Sequence, residues 1–264
     1  MLEPELVYQC YTDVPGSFRR AILTEYLQFK TLGYIFNSTL SSGLVFMGGT
    51  AIRVFYGTGR FSEDLDFDSG VLTSDTLLEV SKLVTRGFQL EGVEIEAAVK
   101  RKGAFSAVFR FESILQQWNL TGHRDEVLKL KFDASPQNYT YAHQTRVLNR
   151  LDVTASVPVA SDSLILAQKL HAILQRNRVM GRDLYDAACL FGRTTPDMNY
   201  LMEKQGTGSE KTIADMVLSR LRNCRMDDLE KDVAPFLPRL QEGMKVKLFP
   251  EIIADWAKAS EQGT

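Results

Sequence analysis

Two aspartates within Met47–Asp68 have a spacing that suits a divalent cation. Asp64 and Asp66 belong to the alternating run EDLDFD, and on a strand their side chains point to one face, about 7 Å apart or less. Like charges at that distance repel each other unless a cation lies between them. Mg²⁺ can satisfy the pair, because it typically takes one or two carboxylates together with substrate phosphates. The pattern therefore predicts a metal-binding strand.

Two glycines precede this pair. Gly48 and Gly49 follow an apolar run that predicts a buried strand, and Thr50 lies near the start of the short predicted helix TAIRVFY. Backbone N–H groups at such a helix start can hold phosphate. A glycine pair before a helix is often only a turn, and a single D-x-D is often an exposed strand face. Their ordered combination favours a site for a metal-bound nucleotide, while the dinucleotide and P-loop fingerprints are absent from the sequence.

The stretch MGGTAIRVFYGTGRFSEDLDFD resembles the minimal nucleotidyltransferase fold, and specifically the AbiEii/AbiGii-type toxins, through its GG followed by R-x-S-x-D-L-D-F. The resemblance returns at Lys169–Asp186, where that family has a lysine helix and an R-D-x-x-D helix. It implies an α+β fold: a nucleotidyltransferase-like mixed sheet with flanking helices, followed by a C-terminal helical bundle. Members of the family include abortive-infection proteins and mycobacterial toxins that add pyrimidines to tRNA acceptor ends.

The resemblance also implies roles for residues around the glycines. Gly48, Gly49 and Thr50 match the turn that holds the nucleotide phosphates. Ser62 matches a family serine near the phosphates, and Arg60 would help to neutralise the triphosphate. These residues form the predicted nucleotide-binding set.

Four charged residues match the metal-binding and catalytic positions of the family. Asp64 and Asp66 match the metal pair, which implies Mg²⁺, or Mn²⁺, as the cofactor. Lys169 matches the conserved-motif lysine, and Asp183 matches the aspartate of the last motif. The resemblance therefore implies that all four are catalytic residues.

Polymerase-like nucleotidyltransferases often use a third carboxylate, from a neighbouring strand, as the base for the attacking hydroxyl. The run LKLKFDAS offers Asp133, which by strand parity shares the polar face with Lys129 and Lys131. Asp133 is therefore a predicted catalytic residue, although the same pattern also fits an ordinary half-exposed antiparallel strand.

The residues of the two later motifs also have purely structural interpretations. Lys169 lies near the apolar side of its predicted helix, so it either extends to solvent or points into a cleft at a phosphate. Asp183 and Asp186 share a helix face at i, i+3, yet acidic residues are also favoured in the first turn of any helix. Arg182 is expected to pair with Asp186 at the surface, where such a pair contributes little.

The strand pattern ends near residue 160, and the sequence after it has helical spacing. We therefore expect two domains: a nucleotidyltransferase-like α/β domain over 1–158 and a helical domain over 159–264. Because the predicted catalytic residues fall in both, the helical domain is expected to complete the active-site cleft.

Composition narrows the classes of partner. Thirty-one basic and thirty-three acidic side chains give a net charge of −2, so contacts to nucleic acid must come from local patches. Candidate patches are residues 100–102, Arg146 with Arg150, and the arginines at 176, 178 and 182.

Three separated cysteines fit a reduced compartment and no zinc site. Without a signal peptide or an apolar stretch of membrane length, the protein is expected in the cytoplasm, with no membrane partner.

The residues thus predict metal-dependent nucleotide chemistry, and the resemblance implies a toxin that transfers a nucleoside monophosphate from an NTP to an RNA acceptor. The resemblance implies a pyrimidine NTP, the tRNA 3′ end as acceptor, blocked aminoacylation and growth, and neutralisation by a cognate antitoxin protein. Two alternatives stay open: nucleotidyl transfer to a small molecule or protein side chain, and a non-catalytic module that binds nucleotide or antitoxin. A basic acceptor surface would favour RNA, and an acidic one would favour a small hydroxyl-bearing molecule.

Overall fold

A computed structural model describes residues 1–100, 105–123 and 125–262 of the chain. The chain divides into two compact units. Unit 1 comprises Met1–Phe55 and Phe61–Ala160, and unit 2 comprises Tyr56–Arg60 and Ser161–Thr264. The short segment Tyr56–Arg60 thus joins unit 2 although it lies far from the rest of that unit in the sequence.

Unit 1 is built on a seven-stranded mixed sheet with the strand order β3-β4-β5-β2-β1-β7-β6. The strands are β1 (Val45–Met47), β2 (Asp64–Asp68), β3 (Ile95–Lys100), β4 (Phe105–Phe111), β5 (Leu128–Ser135), β6 (His143–Arg150) and β7 (Val153–Ala160). The pairs β2–β5 and β1–β7 are parallel, and the other neighbouring pairs are antiparallel. In this strand order β1 and β2, which border the glycine–aspartate stretch, lie in the middle of the sheet.

Helices flank this sheet. They are α1 (Pro4–Gln9), α2 (Arg19–Phe36), α3 (Gly48–Tyr56), α4 (Ser74–Leu90) and α5 (Ile114–Gln117), with 3₁₀ turns at Gly16–Phe18 and Thr39–Ser41. Helix α2 packs against β7 and β5, whereas α4 packs against β3 and β4. Thr73 caps α4 by accepting a 3.1 Å hydrogen bond from the Thr76 amide, since a threonine hydroxyl at the N-cap satisfies a free amide of the first turn.

Strand alternation separates an aromatic face of the sheet from an acidic one. Phe67 of β2 stacks on Phe132 of β5 with ring centroids 4.6 Å apart, and it also contacts Phe46 of β1 and Phe36 of α2. The aspartates of β2 alternate with this buried phenylalanine and are half-buried. Helices α2 and α4 therefore cover the aromatic face, and the carboxylates lie on the opposite face of the sheet.

All regular secondary structure among the described residues of unit 2 is helical. Its helices are α6 (Asp162–Gln175), α7 (Gly181–Phe191), α8 (Met198–Gln205), α9 (Glu210–Leu221), α10 (Met226–Val233), α11 (Met244–Lys247) and α12 (Phe249–Gln262), with 3₁₀ turns at Ala234–Phe236 and Leu240–Gly243. Helix α7 is central, since it contacts α6, α10, α11 and α12. A Cβ on Gly181 would lie 1.9 Å from the carbonyl oxygen of Leu229, so only glycine lets α7 approach α10 this closely.

The predicted fold class is confirmed: a mixed sheet with flanking helices precedes a helical bundle. Among the residues that the structure describes, the helices are too short or too polar to cross a lipid bilayer.

Candidate active site

The register of β2 against β5 brings a third carboxylate beside the predicted metal pair. Asp66 is aligned with Asp133, and Asp64 is aligned with Lys131. Neighbouring strands lie about 4.8 Å apart, and aligned residues point to the same face. Asp64, Asp66 and Asp133 therefore form one acidic cluster, which we call the carboxylate face. The parity argument that placed Asp133 on the polar face with Lys131 is confirmed.

The negative charge of this face raises the pKa of Lys131. Its ammonium group pairs with the carboxylate of Asp133 and stays about half exposed. The hydrogen bond to Asp133 and the negative charges of Asp133, Asp64 and Asp66 raise the pKa of Lys131, although partial desolvation acts in the opposite direction. The carboxylate face is therefore strongly electronegative.

The donor set of this face fits Mg²⁺ or Mn²⁺. The described residues contain no group of three or more His, Cys, Asp or Glu side chains placed to hold a metal on their own. A pair of carboxylates is nevertheless the complement that Mg²⁺ takes when phosphate oxygens and water complete its shell. Asp64 and Asp66 are the residues that would hold it.

Gly48 joins β1 to α3 directly against this pair. Its φ angle is +77°, and a Cβ built on it would lie 2.3 Å from Oδ2 of Asp66. A side chain at this position is thus excluded both by the left-handed backbone and by contact with the carboxylate. The turn at Gly48 and the Asp66 carboxylate are therefore in direct contact.

Gly48→Ala should therefore lower transfer by about 10²-fold, because even a 1 Å shift of a catalytic group has effects of that size. The matched control is Gly92→Ala, which has φ +78° but only open space around the new methyl group. Both substitutions carry a backbone cost of about 1–2 kcal/mol, and the contact with Asp66 adds to it only in Gly48→Ala, so thermal unfolding should show Gly48→Ala to be at least as destabilised as Gly92→Ala. Equal initial rates for both variants would show that Gly48 does not position Asp66.

The other predicted nucleotide-binding residues of unit 1 surround the same turn. Gly49 and Thr50 are buried, and the Thr50 hydroxyl donates a 2.5 Å hydrogen bond to the carbonyl oxygen of Asp64. This bond fastens the first turn of α3 to the start of β2. Ser62 is half-buried, and its carbonyl oxygen accepts a 3.0 Å hydrogen bond from Nε2 of Gln28. Contacts of these residues with phosphate stay predictions.

In unit 2, a buried ion-pair cluster collects three predicted site residues. Arg60 is 3% exposed and donates from Nε and Nη2 to the two carboxylate oxygens of Asp186, each at 2.6 Å. Nζ of Lys169 lies 2.8 Å from Oδ2 of Asp186 and 3.0 Å from Oδ1 of Asp183. Lys169 therefore neither extends to solvent nor stands alone. The contact of Arg60 with a triphosphate stays a prediction.

Mutual charge keeps these buried groups ionised. Burial alone would lower the pKa of Lys169, but the carboxylates of Asp186 and Asp183 outweigh it and raise that pKa. Burial would likewise raise the pKa of Asp186, but Arg60 and Lys169 hold it below its ordinary value. The resulting stabilisation is present above the ordinary aspartate pKa and is lost as the pH falls through the lowered value.

One carboxylate oxygen of Asp183 is buried without a hydrogen bond from the described residues. Its side chain is nearly fully buried, and among the described residues its Oδ2 has no hydrogen-bond donor. Nε of Arg176 lies 3.4 Å from that oxygen, close enough for an ion pair only.

Asp186 is the residue for which sequence reasoning predicted the wrong environment. It is fully buried, and its partners are Arg60 and Lys169 rather than Arg182. The guanidinium group of Arg182 instead lies 5.1 Å from the ring centroid of Phe236. The i, i+3 spacing correctly places Asp183 and Asp186 on one face, but the sequence does not show that this face turns into the core.

Of the six described members of the predicted basic clusters, the arginines at 146, 176, 178 and 182 have partners within the protein. Arg146 donates to the carbonyl oxygen of Phe55 at 3.1 Å. Arg178 pairs with Asp232 at 3.6 Å. Residues 101 and 102 of the first cluster lie outside the described residues, whereas Lys100 is described and exposed.

Comparison with known proteins assigns the chain to one family and finds solved structures with a similar fold. The family model described as nucleotidyl transferase AbiEii toxin, type IV toxin–antitoxin system, matches residues 31–255. MenT4, a nucleotidyltransferase toxin of Mycobacterium tuberculosis H37Rv, is similar in structure with a TM-score of 0.60 and 22% identity, over 97% of this chain and 94% of that one. A Helicobacter pylori protein classed as a nucleotidyltransferase has a TM-score of 0.57 and 19% identity, over 93% and 98% of the two chains. No curated protein sequence gives a significant match. The family match spans both segments on which the sequence resemblance rests and confirms it.

Proposed function

Because the chain belongs to the AbiEii family of nucleotidyltransferase toxins, we propose that it transfers a nucleoside monophosphate from an NTP to the 3′ end of a tRNA. One observation carries the proposal: the register that aligns Asp133 with Asp66, on the face that also carries Asp64. Two carboxylates for a metal and a third for a proton are the groups that transfer to a hydroxyl requires.

In the proposed reaction, the 3′ oxygen of the acceptor bonds to the α-phosphorus as the bond to the pyrophosphate oxygen breaks. Asp133 accepts the proton of the attacking hydroxyl on its carboxylate. Asp64 and Asp66 would hold Mg²⁺ or Mn²⁺, and the bound ion would supply positive charge at the triphosphate. Gly48, Gly49 and the start of α3 offer backbone N–H groups to the phosphates. Pyrophosphate leaves, and the acceptor gains one nucleotide.

Lys169 and Asp183 are proposed to act as a phosphate-binding cation and a hydrogen-bond acceptor, as their match to the family motifs implies. The two carboxylates around Lys169 keep it protonated while buried, so its ammonium group is fixed in place and suited to bind a phosphate oxygen. Oδ2 of Asp183, which accepts no hydrogen bond from the described residues and is ion-paired with Arg176, is the oxygen proposed to orient a hydroxyl or amino group. The resemblance between the two motifs and those of the family supports these roles.

The partners proposed for the protein follow from its family. A toxin of this kind would act in the cytoplasm on tRNA, use a pyrimidine NTP, block aminoacylation and growth, and be neutralised by a cognate antitoxin protein. The assignment to a toxin–antitoxin family supports the antitoxin.

Incubation with total tRNA, Mg²⁺ and each labelled NTP in turn tests donor and acceptor together. We expect label on the RNA with one pyrimidine NTP and none when EDTA replaces Mg²⁺. Label on the protein itself, or on an added aminoglycoside only, would assign the enzyme to a protein or small-molecule acceptor instead. No transfer to any acceptor, with nucleotide still bound, would favour a non-catalytic module.

A further inference from the structure

We propose that an exposed basic surface of unit 1, continuous with the carboxylate face, binds the phosphate backbone of the RNA acceptor. This basic sheet surface consists of Lys100 on β3, Arg110 on β4 and Lys129 on β5. The inference rests on the proposed function, because it names where the acceptor of that reaction lies.

The strand register places these three cations on the face that carries the aspartates. Asp133 is aligned with Ser106 of β4, and Ser106 is aligned with Lys100 of β3. Because β5 is also aligned with β2, one row of side chains runs from Asp66 through Asp133 and Ser106 to Lys100. Three strand spacings separate the ends of this row, which corresponds to ~14 Å.

A second row completes the surface. Lys129 lies two residues before Lys131 on β5, on the same face, and is aligned with Arg110 of β4. Between the two rows lie Lys131, Val108 and Ala98. The surface is therefore a stretch of sheet that starts at the carboxylates and has Lys100 at the end of one row and Lys129 with Arg110 in the other, which ends at Glu96.

These cations are available to a ligand. Lys100 and Lys129 are exposed, and Arg110 is half-buried. Within the described part of the chain, none of the three has a hydrogen bond or ion pair to a side chain. Glu96 is aligned with Arg110, yet no ion pair joins them. The arginines at 146, 176 and 178, in contrast, are engaged within the protein.

The chemistry of the surface suits a polyanion that extends away from the reacting hydroxyl. Lys100 lies three strand spacings (~14 Å) from Asp66, so it is placed to contact phosphates of an acceptor that continues away from the reacting hydroxyl. RNA helices are contacted mainly through phosphates and 2′-hydroxyl groups, which lysine, arginine and the Ser106 hydroxyl can bind. Sequence-independent contacts of this kind position the nucleic acid without selecting a sequence.

The test is charge reversal. The double variant Arg110→Glu with Lys129→Glu should weaken tRNA binding, measured by fluorescence anisotropy, and raise the KM for tRNA by about tenfold or more. The slope of log affinity against log salt concentration should fall by about 1 for each cation removed. The KM for the NTP should change less than about twofold, which also shows that the double variant is folded.

Arg86→Glu is the matched control. Arg86 is exposed and unpaired among the described residues, but it lies on α4, the helix whose Phe88 packs against Phe111 on the aromatic side of the sheet. This variant should leave tRNA affinity and its salt slope unchanged, since Arg86 lies on the other side of unit 1.

The outcomes separate this inference from the proposed function. Unchanged tRNA affinity and salt slope in a double variant that still transfers nucleotide to RNA would overturn the basic sheet surface and leave the proposed function intact. If the wild type transfers nothing to RNA, tRNA binding is the remaining test. A tRNA affinity that falls when Arg110 and Lys129 are replaced would support the basic sheet surface. Absence of tRNA binding by the wild type would overturn it.

Discussion

Asp66→Ala and Asp64→Ala are each expected to reduce transfer by about 10³-fold or more while the protein stays folded. Each substitution removes one of the two carboxylates that would hold the metal, whose charge at the triphosphate is the main source of catalysis. The fold should persist, because removing one member of a repelling carboxylate pair relieves repulsion in the metal-free protein. Initial rates at saturating Mg²⁺, with circular dichroism of each variant, measure both effects.

Asp68→Asn is the control for both variants. Asp68 belongs to the same strand and the same face, but its oxygens accept hydrogen bonds from the Tyr141 hydroxyl at 2.6 Å and the Gln137 amide at 2.9 Å. Asparagine retains an acceptor oxygen there, so the rate should change by no more than a few-fold. Wild-type turnover in the Asp64 or Asp66 variant would show that the metal site lies elsewhere.

Of the single substitutions considered, Asp186→Ala should lower the free energy of unfolding the most. Arg60 and Lys169 are buried against this carboxylate, and removing it leaves two buried cations with only Asp183 to compensate them. Breaking a buried ion pair on one side typically costs about 3–5 kcal/mol of unfolding free energy. Urea denaturation followed by circular dichroism measures the loss.

Two further variants serve as comparisons for that loss of unfolding free energy. Asp255→Ala removes an exposed partner of Lys258 from the same unit and should cost less than about 1 kcal/mol. Replacing both members of the Arg60–Asp186 pair, with Arg60→Met and Asp186→Leu, should recover part of the lost stability, because no unpaired arginine then remains. A cost for Asp186→Ala as small as that of Asp255→Ala would contradict the buried cluster.

Short-range patterns made much of the carboxylate face predictable. The alternation in EDLDFD and LKLKFDAS determines which side chains share a face, because strand geometry has a period of two. The glycine pair marks a turn that needs a left-handed residue, and Gly48 has that conformation. These features depend on neighbours in the sequence, so the sequence alone carries them.

Long-range contacts were not predictable in the same way. The bidentate bond between Arg60 and Asp186 joins residues separated by 126 positions, and no spacing rule connects them. The alignment of Lys100 with Ser106 and Asp133 depends on strand register, which side-chain packing sets. The sequence therefore predicts which residues can do chemistry, whereas the structure shows which of them share a surface or a buried cluster.

The mass of tRNA after incubation with the protein, Mg²⁺ and one pyrimidine NTP tests the central claim most directly. Intact-mass spectrometry should show tRNA heavier by one or more nucleotide residues, and the added mass should be absent with Asp66→Ala or with EDTA. Aminoacylation of the modified tRNA should fail, since its acceptor hydroxyl no longer lies at the natural 3′ end. An unchanged tRNA mass, under conditions where the protein binds both NTP and tRNA, would contradict nucleotide transfer to tRNA.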